Sequence, residues 1–476
     1  MNSLPLWILF LVAVGSQASE PLVSLNLKRA GSLTHSADLD TVSSTIYQYL
    51  HAVYLAEISI GSSQQTLYLP IDTNSGDTWV VGSSSSCPPS STYCSFFNWS
   101  LSSTFQDVGQ SFSLPSWDNP GTLAASGSYG VDSVIFANAT FESFQFGLAD
   151  QSVSGLGALG LGMIFNEQSS AQYANLPLLL RMNNITKLDS YSVWLNDVHS
   201  SSGTVLFGGI DLGKFSGGLL VSDMHPREDG SFVHPNISIT RILVRSARTL
   251  VELVIMGQNS TNTDLENALV YSVIDTSAVE SRLPADILLP LASIFGYSSF
   301  SAEYNMYTYD CAGIPSQYLI IIELEGKLSI AIKASQVFYR IGDICVLGIM
   351  PTDDYSVLGQ SFLRSIYFVL DFENFKVGLA SSYQNSDISS IRTLDKSGIP
   401  TSLTGLGPPI ETAATTSIPS EPYETIPTPA TTILGGASGI VVVSSADGRR
   451  ASEWIAGLTL HGKAMAAFCI CIVLLL

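Results

Sequence analysis

The chain is 476 residues long, 46% hydrophobic and 10% aromatic, so it can fill the cores of two or three domains and is not a disordered polypeptide. Forty acidic residues against 20 basic ones give a formal charge of −20, which speaks against nucleic acid as a partner. Only 13% of residues are charged, so much of the surface polarity must come from Ser, Thr, Asn and Gln.

Residues 1–18 carry the apolar run "LPLWILFLVAV" followed by "GSQA", in which Ser16 and Ala18 are the small residues a signal peptidase requires. A signal peptide cleaved after Ala18 is expected, with secretion as its consequence. Lys28 and Arg29 form a dibasic pair that could end a short pro-segment at 19–29; an exposed charged pair is the competing reading. Sequons at Asn98, Asn138, Asn184, Asn236 and Asn259 fit a secreted glycoprotein.

From about 46 to 383, short alternating or apolar runs are separated by Gly, Ser, Asn and Pro clusters. "YLAEISIG", "TLYLPID", "DSVIFAN", "YSVWLND", "GTVLFGG", "YLIIIELEG" and "KLSIAIKA" are examples, and their spacing predicts an all-β body with few short helices, around 170–182 and 284–295. Beyond it, a Ser/Thr/Pro-rich stretch at 384–443 reads as an O-glycosylated stalk. It is followed by a small-residue cluster at 444–448, a spacer, and "AMAAFCICIVLLL". That order matches a GPI-attachment signal over 444–476, with Ser444 or Ser445 as the lipidated residue. The apolar tail has 13 residues after Lys463, short of the ~20 a spanning helix needs. A tail-anchored helix running back through His461 is the alternative.

With Cys469 and Cys471 removed along with the tail, Cys87, Cys94, Cys311 and Cys345 remain. An even set in an oxidising compartment suggests two bridges, and the spacings favour 87–94 and 311–345. No C-x-x-C is present and the histidines are scattered, so no metal site is expected.

The most informative feature is internal repetition. "LPIDTNSGDTWV" at 69–80 is echoed by "SVIDTSAVESRLP" at 272–284: an apolar strand, Ile-Asp-Thr, then a small-residue turn. Each half also carries an apolar-apolar-Gly element, in "GALGLGM" at 157–163 and "YSVLGQSFL" at 355–363. Two copies of one half-fold follow, with lobes at 30–198 and 199–383. An Asp after a strand commonly caps its own turn. A matched pair gains a chemical meaning if the halves pack face to face and bring Asp72 and Asp275 together. Two carboxylates in contact cannot both ionise cheaply, so they share a proton; one can then activate water while the other donates to a carbonyl oxygen.

At these motifs the chain resembles the pepsin-like aspartic proteases, over roughly 46–383. "YLAEISIG" looks like the family's opening strand, "IDTNSGDTWV" and "VIDTSAVESRLP" like its two active-site loops. "SVWLNDVHSSSGTVLFGGIDLGKFSGGL" and "VLGQSFLRSIYFVLDFENFKVGLASS" are further matches. Both cysteine pairs fall where the family places its lobe disulfides, and the GPI-type tail is similar to that of fungal cell-surface members, the yapsin group. The resemblance implies a bilobal β fold with a cleft between duplicated lobes, and a monomer that hydrolyses polypeptides without a cofactor. It also implies an enzyme anchored at the outer surface by its plasma membrane or wall. Carried over by position, Asp72 and Asp275 would be the catalytic pair, and Thr73 and Thr276 would brace the loops across the lobe interface. Ser75 would hydrogen-bond the first carboxylate and Trp79 would pack beneath the first loop.

The chain departs from the family's Asp-Thr-Gly-Ser/Thr pattern in both loops. Asn74 and Ser277 stand where glycine is expected, and Ala278 lacks the hydroxyl that would support Asp275. Glycine admits backbone conformations and close approaches that a Cβ obstructs; Asn tolerates left-handed geometry better than Ser does. The flap hairpin, "SWDNPGTLAASGSYGVDSV" at 116–134, fits only with inserted residues, leaving Trp117 and Tyr129 as candidates for the flap aromatic. Two functions are therefore carried forward. One is a secreted aspartic endopeptidase acting at acid pH; the other is a protease-shaped surface protein that binds peptides or wall components, its dyad misaligned by Asn74 and Ser277.

Overall fold

A computed structural model describes residues 35–36, 41–49, 53–86, 94–116, 122–137, 139–227, 229–245, 250–253, 270–314, 318–341, 343–408 and 442–444. The signal peptide, the Lys28-Arg29 pair, Asn138, Asn259, Cys87, Trp117 and Ser445 lie outside the described residues.

The body is built mostly of β-strands, as the alternating runs predict. In the N-terminal half, strand Gln65–Asp72 pairs antiparallel with Val53–Ile60, placing Leu55 opposite Pro70 and Ile58 opposite Leu67. Leu67, Leu69 and Ile71 are buried on one face, the period-two signature that fixes the register. Strand Leu123–Phe136 turns back as Ala139–Ser152 and also pairs with Gln106–Pro115. The latter pairing reaches Pro115 opposite Leu123, with the Ser116 N–H on Thr122 O.

In the C-terminal half, strand Val270–Ile274 lies between Asn236–Arg245 and Ser356–Leu358. A hairpin of Leu319–Leu324 and Leu328–Lys333 extends the same sheet. Six strands form a base joining the halves: Thr41–Tyr49, Ser202–Phe207, Ser190–Trp194, Ile366–Asp371, Lys376–Ser382 and Phe215–Asp223. The hairpin of Ser190–Trp194 with Ser202–Phe207 crosses the expected lobe boundary at 198/199. That boundary therefore falls inside a shared sheet, and the C-terminal half's own sheet begins only at Asn236.

The halves mirror each other where they meet. Strand Gln65–Asp72 is joined in parallel by Leu159–Gly160, with Gly160 opposite Asp72, and Val270–Ile274 is joined in parallel by Ser356–Leu358, with Leu358 opposite Ile274. The repeated glycine now has a physical reason. A Cβ at Gly160 would lie 2.4 Å from Asp77 O, and one at Gly359 would lie 2.3 Å from Glu280 O, so each glycine lets its segment pack against the loop that follows an Asp-Thr pair.

Helices form at Leu176–Met182 and Ala285–Ile294. The first starts later than the expected 170, because Asn175 caps it by accepting from Leu178 N–H, and Pro177 occupies its first turn. Cys311 and Cys345 are disulfide-bonded, Cα to Cα 5.1 Å, as the spacing suggested. Cys94 is also disulfide-bonded. Among the described residues no helix is long and apolar enough to cross a membrane.

One domain boundary is corrected. The expected stalk begins at 384, yet 384–408 is part of the folded body. Strand Ile391–Thr393 pairs with Gly209–Asp211, and Leu394 and Ile399, 1% and 6% exposed, sit in a core cluster with Phe215 and Tyr367. A serine-rich composition hid these two apolar anchors. Further on, the backbone of Val442–Ser444 pairs with Leu250–Leu253.

Candidate active site

Strands Gln65–Asp72 and Val270–Ile274 run to the seam between the halves and each ends in an Asp-Thr turn. The two turns are locked by reciprocal bonds. Thr73 Oγ1 donates to Ile274 O at 2.8 Å, and Thr276 Oγ1 donates to Ile71 O at 2.8 Å. In return Thr73 N–H donates to Thr276 Oγ1 at 3.2 Å and Thr276 N–H to Thr73 Oγ1 at 3.1 Å. Both threonines are buried. Four bonds thus satisfy six groups that would otherwise be unpaired in the interior, which fixes the distance between the loops.

Asp72 and Asp275 thus share one site. Asp72 Oδ1 accepts from Asn74 N–H and Ser75 N–H, both at 2.9 Å. Asp275 Oδ1 accepts from Ser277 N–H at 2.8 Å, Ala278 N–H at 3.2 Å and Ser277 Oγ at 2.6 Å. Burial, and then the charge of Asp275 beside it, pushes Asp72 up to about 7. These are the two causes expected for a buried carboxylate pair.

The departures from the family glycines turn out to be tolerated. Neither Asn74 nor Ser277 has a positive φ, so neither turn demands left-handed backbone, and both residues keep the N–H directed at their carboxylate. The hydroxyl missing at Ala278 is supplied one residue earlier by Ser277 Oγ. Ser75 meets Asp72 through its backbone N–H, while its hydroxyl accepts from Asp77 N–H at 3.1 Å. Trp79 packs against Phe112, ring centroids 6.1 Å apart, in a cluster that includes Tyr129 and Ala158.

Tyr129 is not a flap residue. It is fully buried along strand Leu123–Phe136, opposite Gly147, and its hydroxyl donates to Asp77 Oδ1 at 2.8 Å. Asp77 also accepts from Tyr173 Oη at 2.8 Å and from Gln168 N–H at 2.6 Å, so this buried carboxylate ties the first loop to two other segments. Burial pushes its pKa up. Glu167, also pushed up by burial, to about 8, accepts from Tyr173 N–H at 2.9 Å.

Sequence reasoning missed a further set of residues beside the dyad. Asn74 Nδ2 donates to Asp275 Oδ2 at 3.3 Å and is hydrogen-bonded to Tyr355. Asn74 O accepts from Asn166 Nδ2 at 2.7 Å, and that amide lies 3.3 Å from His234 Nδ1. The His234 ring stacks on Tyr355 and is buried, which pushes its pKa down to about 4. Asn74 and Asp77 lie inside the first loop motif and were open to notice; the others come from remote segments with no local signal. Among the described residues no cluster of His, Cys, Asp and Glu could hold a metal ion.

The model of the eukaryotic aspartyl protease family matches residues 53–382. The chain belongs to that family. Among curated relatives, the probable aspartic-type endopeptidase opsB of Aspergillus oryzae is 29% identical over 400 residues, covering 79% of this chain and 76% of the relative. Secreted aspartic protease 7 of Candida albicans is 28% identical over 363 residues, covering 70% of this chain and 61% of that longer protein. Secreted aspartic protease 8 of the same organism is 28% identical over 351 residues, covering 72% and 78%. As a member of the aspartyl proteases the chain carries its two Asp-Thr turns within the matched segment.

Proposed function

We propose that this protein is a secreted aspartic endopeptidase that hydrolyses peptide bonds at acid pH through Asp72 and Asp275, and that it is held at the outer cell surface. The observation that carries this reading is the pairing of the two carboxylates at a seam that Thr73 and Thr276 brace from both sides. In the singly protonated pair, the ionised carboxylate accepts a proton from water as the water oxygen bonds to the scissile carbonyl carbon. The protonated one gives its proton to the carbonyl oxygen, and a neutral tetrahedral diol results. Its collapse returns a proton to the leaving nitrogen. The retained N–H donors in both loops speak against the peptide-binding alternative, which rested on loop misalignment by Asn74 and Ser277.

Secretion is supported by the relatives named as secreted proteases and by the N-terminal apolar run. Anchoring at Ser444 or Ser445 through GPI rests on the order of small-residue cluster, spacer and apolar tail. Glycosylation is proposed at the five sequons, of which Asn184 is exposed.

The test is hydrolysis of a denatured protein by the purified secreted protein, across about pH 3 to 7, beside Asp72→Asn and Asp275→Asn. Cleavage by the wild type alone is expected. Cleavage by all three samples, or by none, overturns the reading.

A further inference from the structure

The two carboxylates are not equivalently solvated by the protein. The described bonds to Asp72 are two backbone N–H groups, both on Oδ1. Asp275 receives two backbone N–H groups and the Ser277 hydroxyl on Oδ1, and across the seam the Asn74 amide on Oδ2. Two of those four donors, Asn74 Nδ2 and Ser277 Oγ, exist only because the chain has Asn and Ser where its family has glycine.

Donors favour the ionised form of the carboxylate they point at, because a carboxylate only accepts, whereas a carboxylic acid must spend one oxygen as a donor. We infer that Asn74 and Ser277 are positioning residues that hold Asp275 as the ionised member of the pair and leave the shared proton on Asp72. The inference rests on the proposed hydrolytic reading for its kinetic consequence, although the proton placement itself does not depend on turnover. In hydrolysis, Asp275 would take the proton from water and Asp72 would give its proton to the carbonyl oxygen. At the diol stage Asp275 is then neutral and Asp72 ionised. On collapse the nitrogen takes the proton from Asp275, and the diol returns one to Asp72.

The surroundings agree with this order. Asn74 is buried at 5% exposure and held on three sides: its N–H on Asp72, its carbonyl under Asn166 and its amide beside Tyr355. The backbone of Asn74 is thus pinned on both sides and its Nδ2 lies on Asp275 and Tyr355, while its Oδ1 is buried without a partner among the described residues. A donor carried on so fixed a loop is already in place when Asp275 ionises, which is the condition for electrostatic preorganisation. Among the described residues, few titratable and charged groups face the pair. Asp77 and Tyr191 lie on the Asp72 side, and Tyr355, with Asp354 and Arg282 behind it, lies on the Asp275 side; His234 approaches through Asn166. Asp77 adds a negative charge near Asp72 and so disfavours ionisation there, in the same direction as the donor imbalance.

The experiment measures the pH dependence of kcat/KM for the wild type, Asn74→Ala, Asn74→Gly and Ser277→Gly, with the carboxyl carbon-13 titration of Asp-labelled protein read in parallel and assigned with Asp275→Asn. Losing the Asn74 donor should raise the acid limb by about one pH unit, since a hydrogen bond to a charged group is of that order. The alkaline limb should move much less, because Asp275 is ionised on both sides of that step. Ser277→Gly should move the acid limb in the same direction, and the lower-titrating carboxyl should be Asp275. An unmoved acid limb in folded variants, both limbs moving together, or Asp72 titrating first overturns the inference. Lack of hydrolysis in the wild type would remove the functional reading, and the carbon-13 titration would still decide the proton placement.

Discussion

Thr73 and Thr276 each give a hydroxyl proton to the carbonyl of the residue before the opposite aspartate, Ile274 and Ile71, and each accepts the other's backbone N–H. Because the bonding is reciprocal, the two residues should be energetically alike. Thr73→Val or Thr276→Val keeps the shape but orphans one buried carbonyl and one buried N–H in the opposite loop. Each should cost roughly 2–6 kcal/mol of stability, from about 1–3 kcal/mol for each of two unsatisfied groups, and should lower activity by spreading the loops. Denaturant unfolding of both variants checks this; a silent partner in either would show that the brace is one-sided.

The strands and the duplicated half-fold were legible because they obey local rules: period two in "TLYLPID", and a repeated Ile-Asp-Thr followed by small residues. The glycines of "GALGLGM" and "VLGQS" were visible too, although only the approach of Gly160 to Asp77 and of Gly359 to Glu280 gives the reason for them. What stayed hidden depends on contacts between remote segments. The Asn74 amide meets a carboxylate 201 residues away, so a substitution that reads as damage in one dimension supplies a donor in three. Tyr129 was misread for the opposite reason, since its position near the hairpin says nothing about a hydroxyl buried on Asp77.

Stability should fall as pH rises from about 4 to about 8. Burial pushes Asp72 and Asp189 up to about 7 and Glu167 up to about 8, and raises Asp77 and Asp371 as well. A carboxylate raised in the folded state is more protonated there than in the unfolded chain over that window. Its stabilising contribution is therefore complete below the unfolded value near 4 and lost as pH climbs through the folded one. His234, pushed down to about 4, acts in the opposite sense, gaining stability between about 4 and 6.5, but it is one group against five. Thermal midpoints measured across this range should decline, and the decline should ease above about pH 7, where Asp72 and Asp189 have already given up most of their protons in the folded state. A flat or rising profile would contradict the burial of these carboxyls.

Asp77 joins three segments through two tyrosine hydroxyls and the Gln168 N–H. Asp77→Asn can keep one acceptor, but its amide N–H₂ then opposes another donor, at a cost of about 1–3 kcal/mol. Tyr129→Phe and Tyr173→Phe should each be milder, since each removes a donor and leaves the carboxylate its other partners. The expected order of thermal midpoints is wild type, then the two Phe variants, then Asp77→Asn. An Asn variant as stable as the wild type would mean the carboxylate is already protonated and only one of its oxygens matters.

The segment 384–408 supplies the last prediction, because the sequence assigns it to a stalk and the structure folds it onto the base sheet. Asp211 accepts from Ser390 N–H at 2.6 Å and from Ser389 Oγ at 2.8 Å, and Leu406 N–H donates to Leu212 O at 2.7 Å. Leu394 and Ile399 fill the cluster around Phe215 and Tyr367. Full burial of two such side chains is worth about 3–6 kcal/mol together, before the lost strand pairing with Gly209–Asp211 is counted. Part of that is offset by the entropy the strap regains when it is removed. A chain ending at Tyr383 should therefore be secreted in lower yield and unfold several degrees earlier, exposing Phe215 and Leu212 as a sticky patch. A chain ending at Pro408 keeps the strap and loses only the short pairing of Val442–Ser444 with Leu250–Leu253, so it should stay close to the longer protein in both measurements. If the two truncations behaved alike, the strap would be an ornament on a body that is complete without it, and the stalk would start where composition first suggested.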